Sequence, residues 1–425
     1  MARIVMAVSP LTGHVLPMVL IGGHLQRAGH TVTVLTDEAH RHVVEGEGLA
    51  FAPLGPAACA QSPAPASALN RLLPSLLRRY LLGKADIRAT FVEPLVAQYL
   101  ALAGLLDAEP VDAVLVDLAF TGALPILTSD GPRPTVFVCG VGPLTLSSTD
   151  TPPFGMSWIP RPGMDYDGMH AVVRNVMFGD IADEVNAALR EVGASPIETS
   201  LMDWPRLADR LLQLTIPAFE YPRSDLPGNV SYVGPVLPET DDGDFEAPQW
   251  WDEVLRAQTV VHVTQGTLDN GDLDQLIVPT LRAFADVEGV VVVATTGRGG
   301  AGRLPSDIPS NAHVAEWIPY SALLPHVDVA ITNGGYGGVQ HALRYGIPVV
   351  VAGESADKAE VAARVEFAGV GVNVGTAHPS PSAIAGAVAR ADRCRNAAAL
   401  VGAAMAKATP LDTIASLLAR EVISA

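Results

Sequence analysis

Between Thr332 and Lys358 the chain reads TNGGYGGVQHALRYGIPVVVAGESADK, with Gly334, Gly335, Gly337 and Gly338 crowded into its first seven residues. HVDVAIT, just before them, has the pattern of a buried strand. Tyr336 to Tyr345 has helical character, with Gly346 and Pro348 placed to end it. The glycines therefore fall in a strand-to-helix turn. A helix N-terminus carries unpaired N–H groups and a partial positive charge, which together suit a phosphate. Glycine lets an anion approach those amides without meeting a Cβ. A second glycine turn, TQGTLDNG from Thr264 to Gly271, follows an earlier strand of the same half. Two such turns on one sheet edge could grip a pyrophosphate from two sides, with Asp357 and Lys358 beside it.

These turns need a sheet to carry them, and the chain supplies two. ARIVMAV, SPLTGHVLP and MVLIGGHLQRAG read as strand, loop and helix, with Gly29 at the helix end, and HTVTVLT follows as a second strand. VDAVLVD and PTVFVCG add short apolar runs rich in β-branched residues. The plan repeats from TVVHVTQGT through a helix near Leu273 to Asp286, then VVVVATTG, HVDVAIT and IPVVVAG. Alternating helices and apolar strands predict an α/β fold with parallel sheets covered on both faces. Ligands of such sheets bind at their carboxyl edges. YVGPVLPETDDGDFEAPQW, rich in proline, glycine and acidic residues, reads as the linker between the halves. Residues 57–84 begin loop-like and become helical, while 143–180 are dense in Pro, Gly, Met and aromatics and suit an acceptor pocket.

Composition excludes several classes of function. A chain of 425 residues fits two domains, and 49% hydrophobic against 17% charged residues excludes a disordered protein. A net charge of −18 with no basic stripe excludes a nucleic-acid partner. Cys59, Cys139 and Cys394 are scattered without CxxC spacing, as in a reducing compartment with no zinc site. MARIVMAVSP lacks the features of a signal peptide, so a cytoplasmic location is expected. No apolar run in the sequence approaches the roughly 20 residues of a membrane span. SPLTGHVLP and VTQGTLDNG both fail the GxGxxG fingerprint, and there is no Walker A loop, which disfavours hydride transfer and nucleotide hydrolysis.

Read jointly, the motifs resemble the family 1 glycosyltransferases, the UDP-glycosyltransferase superfamily of GT-B fold. The likeness is to bacterial enzymes that glycosylate macrolides, polyketides, terpenoids and flavonoids. It covers nearly the whole chain: GHVLP after the first strand, RAGHTVTVLT, YVGP before the linker, EWIPYSALLPHVDVAITNGG entering the signature, and the final run PLDTIASLLAREVI. The resemblance implies two Rossmann-like domains whose parallel sheets face across a cleft. The acceptor-binding domain would span 1–220, the linker 221–250, the donor-binding domain 251–408, and a helix over 409–425 would pack back on the first domain.

Roles follow position by position. The resemblance makes His14 the general base on the acceptor hydroxyl, and an alcohol does need a base at neutral pH. It makes Asp117 the partner that orients His14 and stabilises its charged form. Trp317 would stack on the nucleotide base, with the Ile318 backbone nearby. Gly266 and Thr267 would lie by the diphosphate with Gly334, Gly335, Gly337 and Gly338, and Asp357 would bind sugar hydroxyls. The chain departs from the pattern at four places: Asn333 replaces a histidine, Gly338 a serine, His341 a glutamate that binds ribose, and Lys358 a glutamine. Gln340 or His341 could take the ribose.

The implied reaction is inverting transfer from a UDP- or dTDP-sugar to a hydroxyl of a hydrophobic small molecule, by a monomer or homodimer. No Asp-x-Asp motif follows a suitable strand, so no metal or other cofactor is expected. The alternatives are a non-catalytic nucleotide-sugar-binding auxiliary protein and a sugar-nucleotide epimerase.

Overall fold

The computed structural model describes residues 1–59, 75–238, 245–266, 270–297, 300, 304, 307–354 and 357–423. Thr267, Arg298, Gly299 and part of the acidic linker, 239–244, lie outside them.

Two parallel sheets organise the chain. The first has seven strands in the order β3-β2-β1-β4-β5-β6-β7: β1 (Arg3–Ala7), β2 (Thr31–Thr36), β3 (Ala50–Pro53), β4 (Ala113–Asp117), β5 (Thr135–Gly140), β6 (Arg210–Gln213) and β7 (Val230–Tyr232). The second has six, in the order β10-β9-β8-β11-β12-β13: β8 (Thr259–Thr264), β9 (Val290–Thr295), β10 (Ala312–Ala315), β11 (Val329–Thr332), β12 (Val349–Val351) and β13 (Gly371–Asn373).

Alternation along each strand explains why both faces are covered. In β1, Val5 and Ala7 enter one apolar cluster while Ile4 and Met6 enter another on the opposite face. In β8, Val261 and Val263 likewise face one cluster and Val260 the other. Strands buried on both sides need continuous apolar runs, as VVVV in β9 shows. The predicted helix over 273–286 is shorter in the structure, Ile277–Ala283. Tyr336–Arg344 forms the helix expected after the glycines.

The terminal helix, Pro410–Ile423, crosses back to the first sheet. Ile414 and Leu418 are buried in the same cluster as Met6 and Leu212, and Arg210 of β6 donates from Nε to Glu421 at 3.1 Å. Gly234, beside the linker, leaves no room for a Cβ, which would stand 2.5 Å from Ala408 Cβ.

One expectation needs correction. The continuous helical stretch Tyr80–Ala108 is long and apolar enough, on length and composition, to cross a membrane. Asp86, Arg88 and Glu93 interrupt its apolar residues in the sequence and hide that length. In the folded chain Leu95 and Leu102 are fully buried with Val114, Val116 and Trp204, so its inner face belongs to the core of the first half. Arg88 is tied to Glu184 at 2.9 Å.

Candidate active site

β1 and β4 are neighbours in register, Ala7 opposite Val116, so the chain segments leaving their carboxyl ends emerge side by side. That adjacency joins residues over a hundred positions apart. His14 lies in the first turn of the helix Thr12–Arg27, and its Nδ1 sits 2.7 Å from Oδ1 of Asp117, the last residue of β4. Asp117 is fully buried, and backbone amides help satisfy it. Ala119 N–H donates to Oδ1 at 2.8 Å and Ser9 N–H to Oδ2 at 2.5 Å.

A carboxylate accepts from Nδ1–H, so Nε2 is left as the imidazole's basic nitrogen. About a quarter of the His14 side chain remains open, 24%. Burial pushes its pKa down, but the charge of Asp117, its hydrogen bond and the charge of Asp357 together carry it above 6.5.

Asp357 comes from the other half of the chain. It is the N-cap residue of the helix Lys358–Phe367. A Cβ built on Gly142, just past β5, would stand 3.7 Å from its Oδ2. Burial raises the pKa of Asp357, and His14 opposes that rise. The charges of Asp357 and His14 therefore act on one another across the cleft. The carboxyl ends of the two sheets meet elsewhere too: Gln213, the last residue of β6, donates to the Tyr336 hydroxyl at 3.4 Å.

The two glycine turns are also neighbours, because β8 and β11 pair with Thr264 opposite Thr332. Asn333 Nδ2 donates to the Gln265 carbonyl at 2.6 Å and ties the turns together. Asn333, standing where the family pattern has a histidine, thus braces one turn against the other. Gly334 is required by the fold: its φ is +93°, and a Cβ would stand 2.8 Å from Val351 Cγ1. Gly337 and Gly338 differ, since among the described residues a Cβ on either would meet nothing within 4 Å. Packing among the described residues does not explain them. Gly335 is the helix N-cap. Gly266, two residues past β8, has φ +75°, and Thr267 falls outside the described residues.

Gln340 and His341 part company. Gln340 is buried, and its Nε2 donates to the Leu214 carbonyl of the first domain at 3.2 Å. His341 packs edge-on to Tyr320 with ring centroids 5.0 Å apart, and burial pushes its pKa down to about 4, so the ring is neutral. Lys358 opens its helix, where burial lowers the ammonium pKa, and its carbonyl oxygen lies beside Gly334.

Trp317 is 66% exposed and with Ile318 lines a cavity of about 310 Å³. Phe245 and Trp250 line it too, Trp250 stacking on His313 at 4.7 Å. Neither is among the residues expected from the sequence, although Trp250 stands in the aromatic run QWW at the end of the linker.

Residues 278–419 match the model of the erythromycin biosynthesis protein CIII-like family, C-terminal domain. The chain is 36% identical over 379 residues to 4'-demethylrebeccamycin synthase of Lentzea aerocolonigenes, covering 88% of this chain and 87% of the relative. It is 34% identical over 390 residues to UDP-glycosyltransferase 2 of Phaeomoniella chlamydospora, covering 88% and 84%. Among solved structures it is similar to a spinosyn rhamnosyltransferase complexed with thymidine diphosphate, with TM-score 0.67, 18% identity and coverage of 98% and 99%.

Proposed function

The chain belongs to the family 1 glycosyltransferases of GT-B fold and moves a sugar from a nucleotide donor to a small-molecule acceptor, and from that premise we propose that His14, Asp117 and Asp357 carry the transfer. The observation behind this assignment is the convergence of a bonded His14–Asp117 pair from one domain and Asp357 from the other.

An acceptor hydroxyl attacks the anomeric carbon from the side opposite the diphosphate. The new C–O bond forms as the bond to the diphosphate oxygen breaks, so the configuration inverts. The hydroxyl proton passes to Nε2 of His14, and Asp117 holds the imidazolium in place. The electron pair leaves with the diphosphate, whose growing charge faces the two glycine turns and the N-terminus of the helix Tyr336–Arg344. Those fixed dipoles act where charge develops and serve in place of a metal ion. Trp317 provides an exposed ring for the nucleobase. Relatives named for UDP and a structure holding thymidine diphosphate make both nucleotides candidates. His341, neutral and at the position of the family's ribose ligand, is assigned to the ribose; Gln340 bonds Leu214 through Nε2, while its Oε1 is buried with no hydrogen-bond partner among the described residues. Three free cysteines accord with reaction in the cytoplasm.

Release of nucleoside diphosphate from UDP- and dTDP-sugars, followed with and without mixed aglycones, tests the scheme. Release that depends on acceptor, with a glycoside of inverted configuration, is expected. Release at equal rate without acceptor, or a retained configuration, would sink it.

A further inference from the structure

The loop after β5 borders the cleft at Gly142, where Asp357 approaches, and runs on to Trp158. Its far end is a tight turn, with φ +95° at Gly155 and +57° at Ser157. Ser157 adopts a conformation disfavoured for a residue bearing a Cβ. Both turn amides point at one atom of the other domain: Gly155 N–H and Ser157 N–H donate to Glu360 Oε1 at 2.8 and 2.7 Å.

Glu360 is itself held from behind. Its Oε2 accepts from Arg364 NH1 at 3.0 Å, and Arg364 Nε donates to Glu220 Oε2 at 2.8 Å. Arg364 NH2 also donates to the Leu144 carbonyl at 3.2 Å, while Leu144 N–H donates to Glu220 Oε1 at 2.8 Å. The guanidinium lies 4.5 Å above the Tyr221 ring. None of the three charged side chains is more than 5% exposed.

The loop is therefore fastened at both ends, Leu144 and Gly155 to Ser157, by the helix Lys358–Phe367. That same helix begins at Asp357. Buried ion clusters add little to stability against apolar packing, but they fix one register between the elements they join. We propose that Glu360 and Arg364 are positioning residues for transfer, registering the acceptor-side loop on the donor-side helix so that the acceptor hydroxyl meets the anomeric carbon. This rests on the assignment of Asp357 to the sugar.

Three full-length variants test it, each read by acceptor kcat and KM, nucleoside diphosphate Kd, and hydrogen exchange of the Gly155 to Ser157 amides. Glu360→Ala removes both oxygens, and acceptor kcat/KM should fall by about 10- to 100-fold. Exchange at the turn should quicken while nucleoside diphosphate Kd holds. Glu360→Asp keeps the charge beside Arg364 but draws the oxygen from the amides, and should lose about tenfold; it carries the test if the Ala variant fails to fold. Glu360→Gln keeps an oxygen for the turn but sets an amide N–H against Arg364 NH1, so it should lose about three- to tenfold, less than Glu360→Ala. Acceptor kinetics unchanged in Glu360→Asp, or a nucleotide affinity that falls in step with activity, would overturn the proposal. Failure of the sugar assignment is separable: Asp357→Asn would then leave transfer unchanged, while the turn amides would still respond to Glu360.

Discussion

A histidine acts as a base only in its neutral form, so the pH at which His14 loses its proton sets the acid limit of transfer. Burial lowers that pKa, but Asp117 and Asp357 more than offset it, so the acid limb of kcat/KM should have a midpoint above 6.5. Activity rises with pH through it. Asp117→Asn removes the main upward push and the bond that sets the tautomer, so the limb should move to lower pH while kcat falls about 10²-fold or more. A pH profile of the two proteins decides, and a limb that stays in place would separate His14 from it. His14→Ala should lower kcat by roughly 10² to 10⁴ with nucleotide Kd unchanged, since His14 follows a strand of the first sheet and the glycine turns follow strands of the second. Isothermal titration beside steady-state kinetics distinguishes lost chemistry from lost binding.

At the scale of the strand-to-helix turn, the glycines divide into those the fold needs and those that packing among the described residues does not explain. Gly334→Ala places a Cβ 2.8 Å from Val351 in a left-handed backbone, and should destabilise the protein by at least about 1–2 kcal/mol in chemical denaturation. Gly338→Ser meets no side chain or backbone among the described residues, so stability should not suffer. Its hydroxyl would stand over the helix N-terminus and offer a donor to a phosphate, a gain of about 1.5 kcal/mol or roughly tenfold in donor Kd. A Kd that does not tighten would place the diphosphate elsewhere. Periodicity and punctuation made this element legible: apolar HVDVAIT, four glycines, then the helix ending near Gly346. The difference between Gly334 and Gly338 was not legible, because it depends on β12 lying behind one and on none of the described residues lying behind the other.

For the whole molecule, the buried cluster of Arg364, Glu220 and Glu360 joins the two halves where they must close. Arg364→Ala leaves two buried carboxylates without their cation, and about 3–5 kcal/mol of stability should go with it. A denaturation midpoint equal to the parent's would show that the halves are held together elsewhere. Charge stabilisation by turns and a helix N-terminus predicts turnover that survives EDTA. Complete loss, restored by a divalent ion, would require a metal in the scheme.

The α/β class, the two parallel sheets and the segments that carry His14, Asp117, the glycines and Asp357 were determined by the sequence itself. Hydrophobic period and turn residues act locally, and these elements are built from them. Only the tertiary structure decided which of those residues meet. His14 finds Asp117 because β1 and β4 pair in register, a contact of 2.7 Å spanning 103 positions. Asn333 braces the Gln265 carbonyl, Gln340 reaches the first domain, and Arg364 is buried between two carboxylates. Each of these depends on long-range packing of one half of the chain on the other, or of one strand beside another, and no local pattern encodes such a meeting.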